Sequence, residues 1–201
     1  CAEATTVLIK KQPGVQQMAR VQTENGYMYY AYSASMAEKG RNCVYVFEAA
    51  SNRQQPLTVI ENVAPAQATL QGVITHGDRL AVLARGENCT YLRIYSIAEP
   101  TKPVLLSAIE QSGACVQAGL VGENVYVLSH FVFDPKAEQS VPALTVNGEI
   151  HRALPEHIVR LAGANQAQYT VLGTVDVQTG KAAEDVAAVL GGGTKVKKKK
   201  K

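Results

Sequence analysis

Residues 68–110 read ATLQGVITHGDRLAVLARGENCTYLRIYSIAEPTKPVLLSAIE. Four apolar runs are separated by short polar breaks. ATLQGVITHG (68–77) ends on a glycine turn, and RLAVLA (79–84), TYLRIYSI (90–97) and VLLSAIE (104–110) follow. Pro100 and Pro103 cannot donate to a strand ladder, so EPTKP (99–103) is a connection. Short runs rich in β-branched and aromatic residues, broken by turns every 8 to 12 residues or so, predict strands rather than helices. In TYLRIYSI one face carries Leu92, Ile94 and Ser96, and the other Tyr91, Arg93, Tyr95 and Ile97. Neither face is polar throughout, the pattern of a strand covered on both sides when small sheets stack face to face.

The same order recurs on either side. ENGYMYYAYS (24–33), HGDRLAVLA (76–84) and VGENVYVLS (121–129) each place a polar turn before an alternating strand. Taking Asn25, Gly77 and Gly122 as equivalent, the spacings are 52 and 45 residues. A four-stranded propeller blade has about this length. The first unit runs through VQQMARVQT (15–23), YMYYAYS (27–33), CVYVFEA (43–49) and LTVIENV (57–63). The third starts with CVQAGLV (115–121) and NVYVLSHF (124–131), then waits until YTVLGTVDV (169–177) and DVAAVL (185–190). The expected fold is all-β: a partial β-propeller of about three four-stranded antiparallel blades, at 15–63, 67–112 and 115–190. A long insertion, 132–168, interrupts the third.

TYLRIYSIAEPTKPVLLSAIE, VGENVYVLSHF, QYTVLGTVDVQTG and VAAVLGGG together resemble a family of secreted bacterial and archaeal proteins. Its β-propeller domain is distantly related to WD-repeat propellers. The resemblance covers residues 15 to 193 and rests on strand order, not on a catalytic motif. It implies a propeller outside the cytoplasm, at the cell surface or secreted, often behind a membrane anchor. It lends no catalytic residue.

The tail departs from that pattern. Where the resemblance implies a further blade after VLGGG, TKVKKKKK (194–201) follows. Propellers close with about 4 to 8 blades. The missing blades are therefore expected from further chain, the favoured reading, or from copies of this one. Residues 191–201 are expected to be a disordered or appended Gly/Lys tail. Its six lysines mask the charge of the body: taking them from the net +3 leaves −3. A mildly acidic body invites no nucleic acid, and a lysine run that repels itself reads first as a solvated tail. No apolar run approaches the roughly 18 residues of a membrane-spanning helix.

Four cysteines, Cys1, Cys43, Cys89 and Cys115, show no metal or redox spacing. The last three open apolar runs and are expected as small buried hydrophobes. Cys1 before Ala2 and Glu3 looks like the mature start of a bacterial lipoprotein, a possible lipidation point; an artificial boundary reads equally well.

The insertion exceeds the roughly 12–15 residues of an ordinary loop, and such loops are functional or disordered. It holds the candidate interaction residues Asp134, Glu138, His151, Glu156 and His157, and LPEHIVRLAG (154–163) is expected as a short helix. The two histidines stand six apart, which matches no ligand pair, so no metal or cofactor is expected. There is no G-x-S-x-G elbow and no phosphate-binding glycine loop. Ser129 and His130 are neighbours on a strand and point apart. Tyr27, Tyr29, Tyr30 and Tyr32 crowd one strand, where packing between blades is favoured over a carbohydrate platform. The sequence thus points to a non-catalytic extracytoplasmic interaction or scaffold module, its partner a protein or an extracellular polymer. The alternative is a propeller-type hydrolase or lyase on an extracellular polymer, its site shared among blades.

Overall fold

A computed structural model describes residues 15–33, 41–50, 55–134, 136, 140–162, 167–183 and 186–191. Among them there is no α-helix, and the strands form three sheets. Blade 1 is β2 (Val21–Glu24), β3 (Tyr27–Ser33), β4 (Asn42–Glu48) and β5 (Thr58–Ile60). Blade 2 is β6 (Thr69–His76), β7 (Arg79–Arg85), β8 (Cys89–Ser96) and β9 (Val104–Ser112). Blade 3 is β10 (Ala114–Val121), β11 (Asn124–Val132), β15 (Gln168–Asp176) and β16 (Ala187–Leu190). Each blade is an antiparallel meander, as expected of a partial propeller.

Register begins at the first hairpin of each blade. Asn25 and Gly26 both take positive φ (50° and 79°), the two-residue turn whose twist matches that of the strands. From these turns, side-chain parity sends alternate residues to opposite sides. Leu80, Val82 and Ala84 of β7 enter a core shared with Tyr29, Ala31, Val44 and Val46 of blade 1. Ala81 and Leu83, the residues between, enter a second core with Val125, Val127, Val171 and Val175 of blade 3. β8 divides likewise: Leu92 and Ile94 face blade 3, while Tyr95 faces blade 1. Blade 2 is therefore covered on both faces. Each buried Leu, Ile or Val contributes about 1.5–3 kcal/mol.

Four further strands depart from the expected units. VQQMARVQT is not one strand but two. β1 (Val15–Gln17) pairs with β10 of blade 3, whereas β2 belongs to blade 1. Between them Ala19 exchanges backbone hydrogen bonds with Val73 of β6, at 3.1 and 2.6 Å. Gly72 permits this approach, since a Cβ there would lie 3.0 Å from the Ala19 carbonyl oxygen. The segment thus touches the first strand of every blade. The insertion, expected as a loop, supplies the rest. β12 (Ala143–Val146) and β13 (Glu149–Arg152) extend blade 2 beyond β9, and β14 (Ile158–Arg160) lies parallel to β16 on blade 3. Blades 2 and 3 become six-stranded sheets. The helix expected over 154–163 is corrected: a single 3-10 turn, Pro155–His157, leads straight into β14. Ile158 and Val159 are β-branched, and the ladder to Ala188–Leu190 outweighs a helix too short to stand alone.

One polar side chain reaches across the core between blades 2 and 3. Gln111, 2% exposed, donates through Nε2 to the Val127 carbonyl (3.1 Å) and to Ser129 Oγ (2.8 Å). Ser129 in turn donates to the Ser112 carbonyl at 2.6 Å. Gly173 makes room, because a Cβ there would collide with Gln111 Oε1. Between blades 1 and 2, Asn42 has the matching part: Nδ2 donates to the Pro65 and Ala68 carbonyls at 2.7 and 2.8 Å, and Oδ1 accepts from Ser33. We predict that Gly173→Ala destabilises the fold by about 1–3 kcal/mol through overpacking. The penalty shrinks when Gln111→Ala is also present, because the two residues compete for one space. Urea unfolding of both single variants and the double variant measures this; strictly additive losses would refute the coupling.

Candidate functional site

The insertion leaves blade 3 through a neck where Phe133 N–H donates to the Ala167 carbonyl at 3.0 Å. Phe133 and Tyr169 pack there with ring centroids 4.9 Å apart, and Phe131 stacks on both. The chain then crosses to blade 2. Asn147 and Gly148, both at positive φ, fold 143–152 into a hairpin. Asn147 also fixes the hairpin to β9: its Oδ1 accepts from Ala108 N–H, and its own N–H donates to the Ala108 carbonyl, both at 2.8 Å. Leu144 and Ala153 are buried in the core between blades 2 and 3. Ala143 N–H donates to Ser112 Oγ at 3.0 Å. The hairpin is thus an integral extension of the sheet.

Beneath it lies a cleft of about 470 Å³. Phe131, Val141 and Ile150 give it apolar walls, while Asn88, Glu110 and Arg152 bring polar groups to it. Glu110 is held by Arg93 at 3.5 Å. Arg93 is itself fixed by donating to the Ile109 carbonyl at 3.0 Å and by lying over the Tyr91 ring. Asn88 is held by Val132 on both sides of its amide: Nδ2 donates to the carbonyl at 2.9 Å, and Oδ1 accepts from the N–H at 3.3 Å. Ile150 is largely exposed. The cleft offers one acid, one arginine and an apolar surface.

Those of the residues singled out from sequence that are described form no common cluster. Asp134 follows β11 and accepts from Lys136 N–H at 2.9 Å, closing a local turn. His151 stands on β13 opposite Leu144, and Glu156 and His157 lie in the 3-10 turn beyond it. Glu138 and Cys1 lie outside the described residues. No three His, Cys, Asp or Glu side chains among the described residues could share a metal ion. Ser129 and His130 point apart, Ser129 into the core and His130 half-exposed on the other face. Sequence reasoning missed Glu110, Ile150 and Arg152. The available signal was VNGE (146–149), an Asn-Gly pair between alternating residues, which marks a hairpin.

Three stacked antiparallel meanders, two of them extended to six strands, with a cleft beside the outer strand of blade 2, define a propeller-type fold. The family profile described as beta propeller domain matches residues 10–197, and the chain belongs to that family. Comparison with curated proteins finds no match, and neither does comparison with solved structures.

The cysteines fit a structural role. Cys43 and Cys115 are buried, Cys89 is half-buried at the cleft, and none of the three is in a disulfide. Burial pushes the Cys115 thiol up to about 11 and also raises Cys89 and Cys43. All three are therefore protonated and poorly nucleophilic at neutral pH. Alkylation of the folded protein near pH 8, read by mass spectrometry, is expected to modify Cys89 ahead of Cys43 and Cys115. Rapid labelling of Cys115 without unfolding would contradict the packing described.

Proposed function

We propose that the protein is a non-catalytic interaction module that works outside the cytoplasm and holds an extended segment of a protein or extracellular polymer at the rim cleft. One observation carries this reading. The insertion between β11 and β15 forms a hairpin anchored to blade 2, and the groove beneath it is walled by Phe131, Val141 and Ile150 with Glu110 and Arg152 alongside. A long insertion on a rigid scaffold is where recognition concentrates. Mixed apolar and polar lining suits binding, whereas hydrolase or lyase chemistry calls for converging acids and bases. The extracytoplasmic setting rests on the sequence resemblance.

Isotope-labelled protein titrated with defined unstructured peptides and soluble polysaccharides tests the reading by NMR. Saturable shifts confined to Phe131, Ile150, Arg152 and their neighbours are expected, and Arg152→Glu should weaken them at least tenfold without lowering the melting temperature. Turnover of any of those polymers, with no shift at the cleft, would overturn the binding reading in favour of the enzyme.

A further inference from the structure

The hairpin above the cleft leaves one row of backbone groups open. Val146 and Glu149 flank its two-residue turn and oppose each other, so they exchange hydrogen bonds. Alternation makes Leu144 and His151 the next exchanged pair, and Ala153 N–H, donating to the Pro142 carbonyl at 2.9 Å, continues the series. The other side of β12 serves β9: Ala143 N–H donates to Ser112 Oγ, and Asn147 N–H donates to the Ala108 carbonyl. Glu149, His151 and Ala153 therefore turn their backbone groups to β12. Ile150 and Arg152 turn theirs outward, past the last strand of the blade 2 sheet, where no strand pairs with them among the described residues.

This edge lies on the perimeter. The inner strands of blade 2 are covered on both faces, by blade 1 and by blade 3. A further blade of a propeller stacks on a face of its neighbour, not on the outer edge of a blade already enclosed. The side chains of the same two residues line the cleft. Ile150 stands in a row with Thr145 and Glu110, and Arg152 stands opposite Ala143. Ile150 is 53% exposed. Arg152 is exposed and has no acid in ion-pair range among the described residues, while Glu110 is held by Arg93.

We propose that the cleft takes its partner as an added strand: an extended peptide pairs antiparallel with β13, with an acidic side chain opposite Arg152 and an apolar one, two residues later, opposite Ile150. This mode rests on the cleft being the binding site and names the partner as a peptide. Ile150 and Arg152 each exchange an N–H and a C=O bond with the peptide residue they face. Two such residues are about 7 Å apart on any extended chain, so a peptide matches the edge without adjustment. A polysaccharide has no such alternation of donors and acceptors. Backbone bonds give the affinity, and the free guanidinium beside an exposed aliphatic chain selects the order acid, any residue, apolar residue.

Amide hydrogen exchange in the isotope-labelled full chain tests this, with the capped hexapeptide Thr-Asp-Thr-Val-Thr-Ser as probe. Near saturation the Ile150 and Arg152 amides are expected to exchange at least about fivefold more slowly, while those of Glu149 and His151, already bonded to β12, change little. N-methylation of the peptide's Asp or Val should weaken binding about tenfold, and N-methylation of the Thr between them about twofold or less. Ile150→Pro removes only an outward donor, which an edge strand tolerates, and should weaken binding more than Ile150→Ala does. The N-methyl series keeps the test intact should the proline variant unfold. Arg152→Glu should recover affinity for a peptide with Lys in place of Asp. Protection of the Ile150 and Arg152 amides in the free protein overturns the proposal, since another segment or a second copy then fills the edge. A peptide or soluble polysaccharide that shifts the cleft signals saturably without protecting these two amides overturns strand addition and leaves the cleft as the binding site. Absence of any shift at the cleft, with peptide and polysaccharide alike, overturns both.

Discussion

The structure depends on parity in the central blade. A strand turns successive side chains to opposite sides, so one β7 strand can feed two cores only if both its odd and even positions are apolar. RLAVLAR meets that condition, with arginines confined to its ends. Shifting β7 by one residue would exchange its faces and misfit two interfaces together, which fixes register more firmly than a one-sided sheet does. The first hairpin turns set that register.

Apolar stacking alone is non-directional, and the buried amides add direction. Gln111 fits only where Gly173 leaves space, and Asn42 fits only where the linker between blades 1 and 2 bends past Pro65 and Ala68. Each amide fulfils its hydrogen bonds in one relative placement of the sheets. The same logic explains the insertion. Asn147 ties its hairpin to the backbone of Ala108, so a segment that interrupts blade 3 is completed as part of blade 2. The cleft exists because one excursion bridges two blades.

The stacked-blade architecture was legible because alternation and turns are local. Tyr91, Leu92, Ile94 and Tyr95 announced a strand without a wet face, and the structure gives each side a core. The tyrosines of β3 also obeyed parity: Tyr29 is buried between blades while Tyr30 and Tyr32 face away. What escaped were events between distant segments. Nothing within VQQMARVQT says that Ala19 bonds Val73, because that break is made by a strand more than fifty residues away. LPEHIVRLAG carries sound helix signals at its start, and only the edge of β16 explains why it extends. Glu110 and Arg152 lie far apart in sequence and become neighbours of one cleft only through the pairing of β12 with β9. Histidines and acids drew attention by type, whereas the groove is made by ordinary residues brought together.

The threading of residues 15 to 24 past all three blades bears on how the molecule assembles. In an array where every unit touches only its neighbours, units can form and dissolve one at a time. Here the earliest-synthesised described strand, β1, finds its partner on β10, about a hundred residues later in the chain. Loop closure over that distance must precede the last backbone pairing, which places this step late and slow. Once made, it ties the strand that precedes blade 1 to blade 3. Loss of order is then expected to spread across the three described sheets together, instead of one blade at a time.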